Sequence, residues 1–370
     1  MGPFAILCPA LSQADAVGHD VLGMERALRS WGHEVRIFAK AWDADWPRVS
    51  HFTKIFRYLR GKEAVLIYHH AVGWREGLQI VAECGCRRVI KYHNVTPAEH
   101  FYGLHCDFYY GSWLGRQQLN ALARSGCDLY LADSAYNLGE LLREGAPPAE
   151  SLVVPPFHVT DRLLNAAINP ELASRYADGV TNIFTVGRLV PNKNHRALID
   201  AFAAYHFDYN RCSRLLIVGK EDPRLSSYAQ AVRAHVEARG LRDAVIFAGG
   251  VSTEDLRTYY GLSHVFAMTS AHEGFSVPVV EAMALGLPIA AFGSSAVPET
   301  IGSAGMICPK PEARLLTEAI HRLVGDEELR REYSERGRLR YLREFTNEKT
   351  SSRLSAAIDR LGERPRRAAS

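Results

Sequence analysis

The sequence predicts a parallel α/β protein built as two doubly wound domains. Three observations predict it. Short apolar runs alternate with amphipathic helical stretches along most of the chain, the pattern of parallel sheets covered by helices. The clearest series, NIFTVG (182–187), RLLIVG (214–219), AVIFAG (244–249), HVFAMT (264–269) and LPIAAFG (287–293), fills the second half, and FAILCP, EVRIFA, AVLIYHH, RVIKYHN and DLYLADS form a looser series in the first. Finally, 370 residues exceed what one hydrophobic core of the usual size organises.

The elements follow in order. VVPPFHVTDRLLNAAINP separates the halves, and Pro155-Pro156 continues neither a ladder nor a helix, so the predicted domains are 1–157 and 158–344. In the first helix of the second half Leu198, Ala201, Phe202 and Tyr205 recur at i, i+3, i+4 and i+7, an apolar face for the sheet. After about residue 312 the chain reads as mostly helical and charged. The helices at about 345–362 are expected to pack back on the first domain, and the basic tail 363–370 to stay disordered.

Composition narrows the partners. A net charge of +3 with Lys and Arg spread along the chain argues against a dedicated nucleic-acid binder, while an anionic small partner remains open. Seven cysteines at irregular spacing fit a reducing compartment, and Cys84-Gly85-Cys86 reads as two buried thiols. No apolar run reaches the roughly 20 residues that span a bilayer, and MGPFAILCPALSQADA lacks the basic start of a secretion signal, so a cytoplasmic protein is expected.

The stretch HEGFSVPVVEAMALGLPIAA (272–291) carries two acids eight positions apart. HVFAMT reads as a buried strand, which puts the loop holding Glu273 at its carboxyl end, where doubly wound sheets bind ligands. Ser276 as N-cap and Pro278 in the first turn start a helix near Val277, with free N–H groups for an anion. Glu281 falls one turn inside, able to accept two hydrogen bonds from a vicinal diol, and Gly274 gives the backbone close approach. Each acid alone equally fits a solvated helix position or a loop residue. The loop in VGRLVPNKNH (186–195) ends on the same sheet edge, and its Arg188 and Lys193 suit a diphosphate, the one as a fork and the other as a point charge.

These motifs, GRLVPNKN, then EGFSVPVVEAMALGLPIAA, then SSAVPETIG, resemble those of glycosyltransferase family 4. These are retaining, nucleotide-sugar-dependent enzymes of the GT-B fold, two facing Rossmann-like domains with an interdomain cleft. The resemblance implies that Arg188 and Lys193 bind the donor diphosphate, Glu281 the ribose and Glu273 the transferred sugar. Phe275 and Ser276 would complete the donor loop, and Gly250-Val251 would lie against the base. It also implies that His93, in VIKYHNVTPAEH, contacts the transferred sugar; alone, that histidine reads as structural. His69 and His70 are expected to line the acceptor side. Where the family often has Gly-Gly after its first strand this chain has Val17-Gly18, so Gly18 keeps part of that role and backbone approach at Val17 is in doubt. Lys220 in IVGKED is a further departure.

Departure of a diphosphate needs charge stabilisation, which Arg188 and Lys193 can give without a metal. Asp43-Ala44-Asp45 has the Asp-x-Asp form of metal-dependent transferases but lies away from any nucleotide loop, and none of the five histidines from 69 to 105 pairs at a helical ligand spacing, so no metal and no cofactor are expected. FTKIFRYLRGK (52–62) sets Phe52, Ile55, Phe56 and Leu59 at helical spacing amid basic residues. It reads as a core-facing helix with a solvated edge, or as a peripheral contact with the inner face of a membrane and a lipid-linked acceptor. The overall likeness is to bacterial surface-polysaccharide mannosyl or related hexosyl transferases, acting from a GDP- or UDP-linked sugar on a glycan or lipid-linked saccharide. A nucleotide-sugar epimerase on the same scaffold and a non-catalytic glycosyltransferase-like subunit are the alternatives.

Overall fold

A computed structural model describes residues 2–12, 15–43, 46, 48–60 and 63–363. The chain forms two compact units: one comprises the chain up to Glu99, Asp107–His158 and the stretch from Thr346, the other His100–Cys106 and Val159–Phe345.

The first unit is a seven-stranded sheet of β1 (Phe4–Leu11), β2 (Val35–Trp42), β3 (Val49–His51), β4 (Val65–His70), β5 (Arg87–Tyr92), β6 (Leu129–Ala132) and β7 (Ser151–Val153). Its order is β3-β2-β1-β4-β5-β6-β7, with every pair parallel. Successive side chains of β1 and β4 enter opposite cores. Phe4, Ile6, Val65 and Ile67 pack with Val21, Met24 and Leu28 of helix Ala16–Ser30 and with Leu354, Ile358 and Leu361 of helix Asn347–Glu363. Ala5, Leu7, Leu66 and Tyr68 pack on the other face with Ile80, Leu119 and Leu122. Burial on both faces is why these strands read as unbroken apolar runs.

The second unit is a six-stranded sheet of β8 (Thr181–Val186), β9 (Ser213–Val218), β10 (Val245–Gly249), β11 (Val265–Met268), β12 (Ile289–Phe292) and β13 (Gly305–Cys308), in the order β10-β9-β8-β11-β12-β13 and also all parallel. Leu198, Ala201, Phe202 and Tyr205 of helix His195–Asp208 are all buried, as their spacing predicts. Each sheet reverses its winding direction once, between β1 and β4 and between β8 and β11. Loops at those two switch points are where such folds hold ligands.

Three strands escape the sequence reading: β3, β7 and β13, of three, three and four residues. The 52–62 segment is also corrected. Only Ile55–Tyr58 is α-helical, after a 3-10 turn at Phe52–Lys54; Ile55 and Leu59 are buried in the core, Phe52 packs on it, and Phe56 is exposed. For Ile55, Leu59 and Phe52 that is the core-facing arrangement. Lys62 lies outside the described residues, as do Ala44 and Asp45 of the Asp-x-Asp stretch and 364–370 of the basic tail; Glu363 ends the last helix. Among the described residues no helix is long and apolar enough to cross a membrane.

The outgoing segment 154–158 is clamped to the first unit. Phe157 N donates to Asp20 Oδ1 at 2.7 Å and Lys91 Nζ donates to the Val154 carbonyl. His158 N donates to Asn347 Oδ1 at 3.2 Å, while Asn347 Nδ2 donates back to the His158 carbonyl at 2.9 Å, so the outgoing and returning chains are tied together.

Candidate active site

The loops after β8 and β11 meet at the second unit's switch point through their backbones. Ala271 N donates to the Asn192 carbonyl at 2.7 Å, Asn192 Nδ2 to the His272 carbonyl at 3.2 Å, and Thr269 Oγ1 to the Asn194 carbonyl at 3.0 Å. A third loop joins them, because Glu273 N donates to Ser295 Oγ at 3.0 Å and Ser294 Oγ bonds the Ser270 carbonyl. The floor under the first loop is tight. A Cβ on Gly219, whose φ is +152°, would stand 1.8 Å from the Gly187 carbonyl oxygen, so only glycine lets the ends of β8 and β9 approach this closely.

On this frame Lys193 Nζ meets Glu273 Oε1 at 2.5 Å, with the two side chains 20% and 10% exposed. Two residues that the sequence places 80 positions apart thus form one charge pair. Arg188, in the same loop, is exposed, as is Lys220 after β9. Gly274 is half-buried, and Phe275 is buried against Phe345 with its carbonyl held by Thr300 Oγ1 at 2.6 Å. Val251 after β10 is half-buried against the apolar core.

Glu281 sits buried in helix Val277–Leu285, and burial pushes its carboxyl from 4.5 up to about 7 despite a 2.9 Å hydrogen bond from Tyr260 OH, which pulls it down. The solvated-helix reading of Glu281 is therefore wrong. Tyr260, on helix Thr253–Leu262, is a site residue the sequence analysis misses; its phenol, raised well above 10 by burial and by Glu281, is a committed donor. Ser276 is corrected too. It occupies the N-cap position with a left-handed backbone, φ +78°, but its side chain caps nothing and lies 3.5 Å from Met268 Sδ. Val279 N–H turns back to the Ser276 carbonyl at 3.2 Å and Pro278 has no N–H, so this helix end offers an anion fewer donors than its sequence implies.

At the first unit's switch point, Gly18 lies inside helix Ala16–Ser30, where a Cβ would stand 2.5 Å from the Ser12 carbonyl oxygen; close packing alone requires glycine there. Val17 N is turned to Asp15 Oδ1 at 3.5 Å. Beyond them lies a buried polar cluster. His93 Nδ1 is 2.9 Å from Asp133 Oδ2, His93 Nε2 is 2.8 Å from His69 Nδ1, and Lys91 Nζ is 2.6 Å from Asp133 Oδ1 and 3.8 Å from Asp20 Oδ2. The His93 side chain is 4% exposed although the residue is half-buried, so what reaches the surface is its backbone. Burial pushes the Asp20 carboxyl up, and Lys91 and His93 only partly offset it; for Asp133 the same two neighbours outweigh burial and hold the carboxyl down.

His69 and His70 do not line an open acceptor surface. Both are fully buried, and His70 Nε2 bonds the Gly115 carbonyl at 2.9 Å between the rings of Tyr68 and Tyr92. Burial holds His70 down to about 4, His195 likewise, and His69 lower than its ordinary value. A group depressed in the fold stabilises above its unfolded pKa, near 6.5, and that contribution is lost as pH falls toward its folded value. Each of His70 and His195 is worth about 3 kcal/mol over that window, against an opposite contribution of about 3 kcal/mol from Glu281. The unfolding temperature is thus expected to drop steadily between pH 6.5 and 4, and a flat profile in calorimetry would show that these imidazoles are not buried neutral.

Two doubly wound parallel sheets, with a cation-bearing loop pair at the switch point of the second, make a two-domain α/β architecture of the GT-B fold. The comparisons agree. Residues 174–340 match the family model described as glycosyl transferases group 1. A GDP-mannose-dependent alpha-(1-6)-phosphatidylinositol monomannoside mannosyltransferase of Mycobacterium tuberculosis is 27% identical over 214 residues, 55% of this chain and 54% of that protein. The chain spans about half the length or less of the curated relatives heading that comparison. Among solved structures, sucrose-phosphate synthase of Thermosynechococcus elongatus superposes with a TM-score of 0.79 at 19% identity, covering 98% of this chain and 99% of its own. Anabaena HepE in complex with UDP and glucose superposes at 0.76 and 16% identity, covering 96% and 99%. At these identities the superpositions speak to the fold.

Proposed function

We propose that this chain is a retaining glycosyltransferase that moves a hexose, mannose first among candidates, from a nucleotide diphosphate sugar to a glycan or lipid-linked saccharide in the cytoplasm, without a metal. The observation that carries it is the Lys193–Glu273 pair held by three interlocked loops, on the unit that also buries Glu281. Lys193 and Arg188 neutralise the departing diphosphate, Glu273 orients the sugar and anchors Lys193, and Glu281 accepts from the ribose diol. The dependence of the mycobacterial relative on GDP-mannose and the UDP held by HepE supply the two bases to try. Same-face attack, in which the leaving phosphate oxygen takes the acceptor proton, requires no carboxylate nucleophile, and Glu273 is engaged by Lys193.

Thermal unfolding with GDP, UDP and ADP, each with and without EDTA, tests it, since a ligand bound only by the folded state raises stability by mass action. A shift with GDP or UDP that survives EDTA is the expected result. A shift abolished by EDTA would end the metal-independent reading, and no shift with any nucleotide would favour a non-catalytic subunit. Epimerised sugar formed without acceptor would instead identify an epimerase.

A further inference from the structure

The cluster beneath the first switch point holds more ionisable groups than the proposed chemistry uses, and its charges do not balance. Asp20 and Asp133 carry two negative charges and Lys91 one positive, and no side chain of the five, His69 and His93 included, is more than 5% exposed. With both histidines neutral a net negative charge would be left in a buried site, which is strongly unfavourable. Asp20 Oδ2 and His69 Nε2 are buried without a hydrogen-bond partner.

We propose that Asp20, His69 and His93 hold one additional proton in common, and that Asp133, bonded to His93 Nδ1, is the positioning residue that keeps this proton on the Nε2 side. The 2.8 Å contact between His93 Nε2 and His69 Nδ1 accommodates two arrangements. In one, His93 is an imidazolium donating to His69, with Asp133 at 2.9 Å on one edge and Asp20 Oδ2 at 3.6 Å on the other. In the other, His69 donates to a neutral His93 and the proton resides on Asp20, whose carboxyl burial favours in the protonated form. Both are neutral overall, and both require a proton on His93 Nδ1.

A divalent cation is the competing occupant, because the ligand atoms of Asp20, His69 and His93 lie within 4.8 Å of one another. It would leave the cluster positive beside an ammonium 3.8 Å from the same Asp20 oxygen, whereas one proton leaves it neutral. The groups facing His93 are Asp20 from helix Ala16–Ser30, His69 and His70 from β4, Lys91 from β5 and Asp133 after β6. Since Asp20 and Lys91 also hold the 154–158 segment, the shared proton is fixed to the chain that leads into the second unit. The catalytic consequence, a His93 of constant orientation, rests on its proposed contact with the transferred sugar; the proton itself does not.

Nitrogen-15 NMR of histidine-labelled protein between pH 5.5 and 8.5 tests the shared proton without any substitution. His93 Nδ1 is expected to stay protonated throughout, with His69 and His93 responding in one coupled titration. A deprotonated Nδ1, or two independent titrations, would overturn the proposal. For the positioning role, Asp133→Asn paired with Lys91→Met removes one charge of each sign and so keeps the balance. It should lower kcat at least about tenfold with donor KM little changed, and should cost almost nothing further in a His93→Gln background. Additive losses would reduce Asp133 to a structural residue. If His93→Gln alone leaves kcat unchanged, the sugar-contact reading fails, and the NMR result still decides the proton.

Discussion

Lys193→Ala and Arg188→Ala should each lower turnover by about a hundredfold or more, with a smaller change in donor affinity. Breaking the anomeric bond places new negative charge on the diphosphate, and a preorganised cation lost from such a site costs on the order of 3 kcal/mol of transition-state stabilisation. The two cations reach this task differently. Lys193 is held in place before any ligand arrives by its 2.5 Å contact with Glu273, whereas Arg188 is exposed and is ordered by the phosphate it grips. Lys193→Ala therefore also strips Glu273 of its partner and should cost stability; Arg188→Ala should not. Turnover must be normalised to folded protein, and the measurements are steady-state kcat and KM beside calorimetric unfolding. Near-normal turnover in both variants would remove the leaving-group role.

Five of the second unit's six strands and its loop pair were legible because their signals are local. Five apolar runs, a Gly-Arg pair after the first, and two glutamates in one twenty-residue stretch each announce themselves within a helix turn or a strand length. What the loops do to one another was less so. That Asn192 bonds the His272 carbonyl, or that Ser295 receives Glu273 N, depends on the closure of a sheet that brings β8, β11 and β12 side by side. The cluster in the first unit was illegible for the same reason taken further. Asp20, His69, the Lys91 and His93 pair, and Asp133 come from four separate stretches with no common spacing, and they converge only because β1, β4, β5 and β6 are consecutive in that sheet. Searching the histidines for helical pairs could not find them. Tyr260 lay hidden because a tyrosine on an apolar helix face reads as core, which all of it except its hydroxyl is.

Glu281→Gln should raise stability at pH 8 and weaken donor binding in the same protein. A carboxyl raised from 4.5 to about 7 in the fold favours the folded state when protonated, and that contribution is lost as pH rises through 7. Above pH 7 the folded protein must carry a buried carboxylate, at a cost of about 3 kcal/mol that glutamine escapes. The stability gap between variant and parent should therefore be small at pH 5, widen toward pH 7 and level off beyond it. Donor binding has the opposite preference, because two diol hydroxyls need an acceptor and Tyr260 OH already donates to one oxygen of that acid. Affinity in the parent should then fall by up to about tenfold per pH unit below 7, and the variant should bind weakly with little pH dependence. Tyr260→Phe should push the carboxyl higher still and move the parent's affinity profile to higher pH. Titration with the nucleotide identified by thermal shift, at pH 5, 7 and 8, beside unfolding at the same pH values, reads both effects. A variant no more stable at pH 8 would mean the carboxyl is not raised. One more stable but binding nucleotide as the parent does would leave Glu281 a buried acid without a ligand.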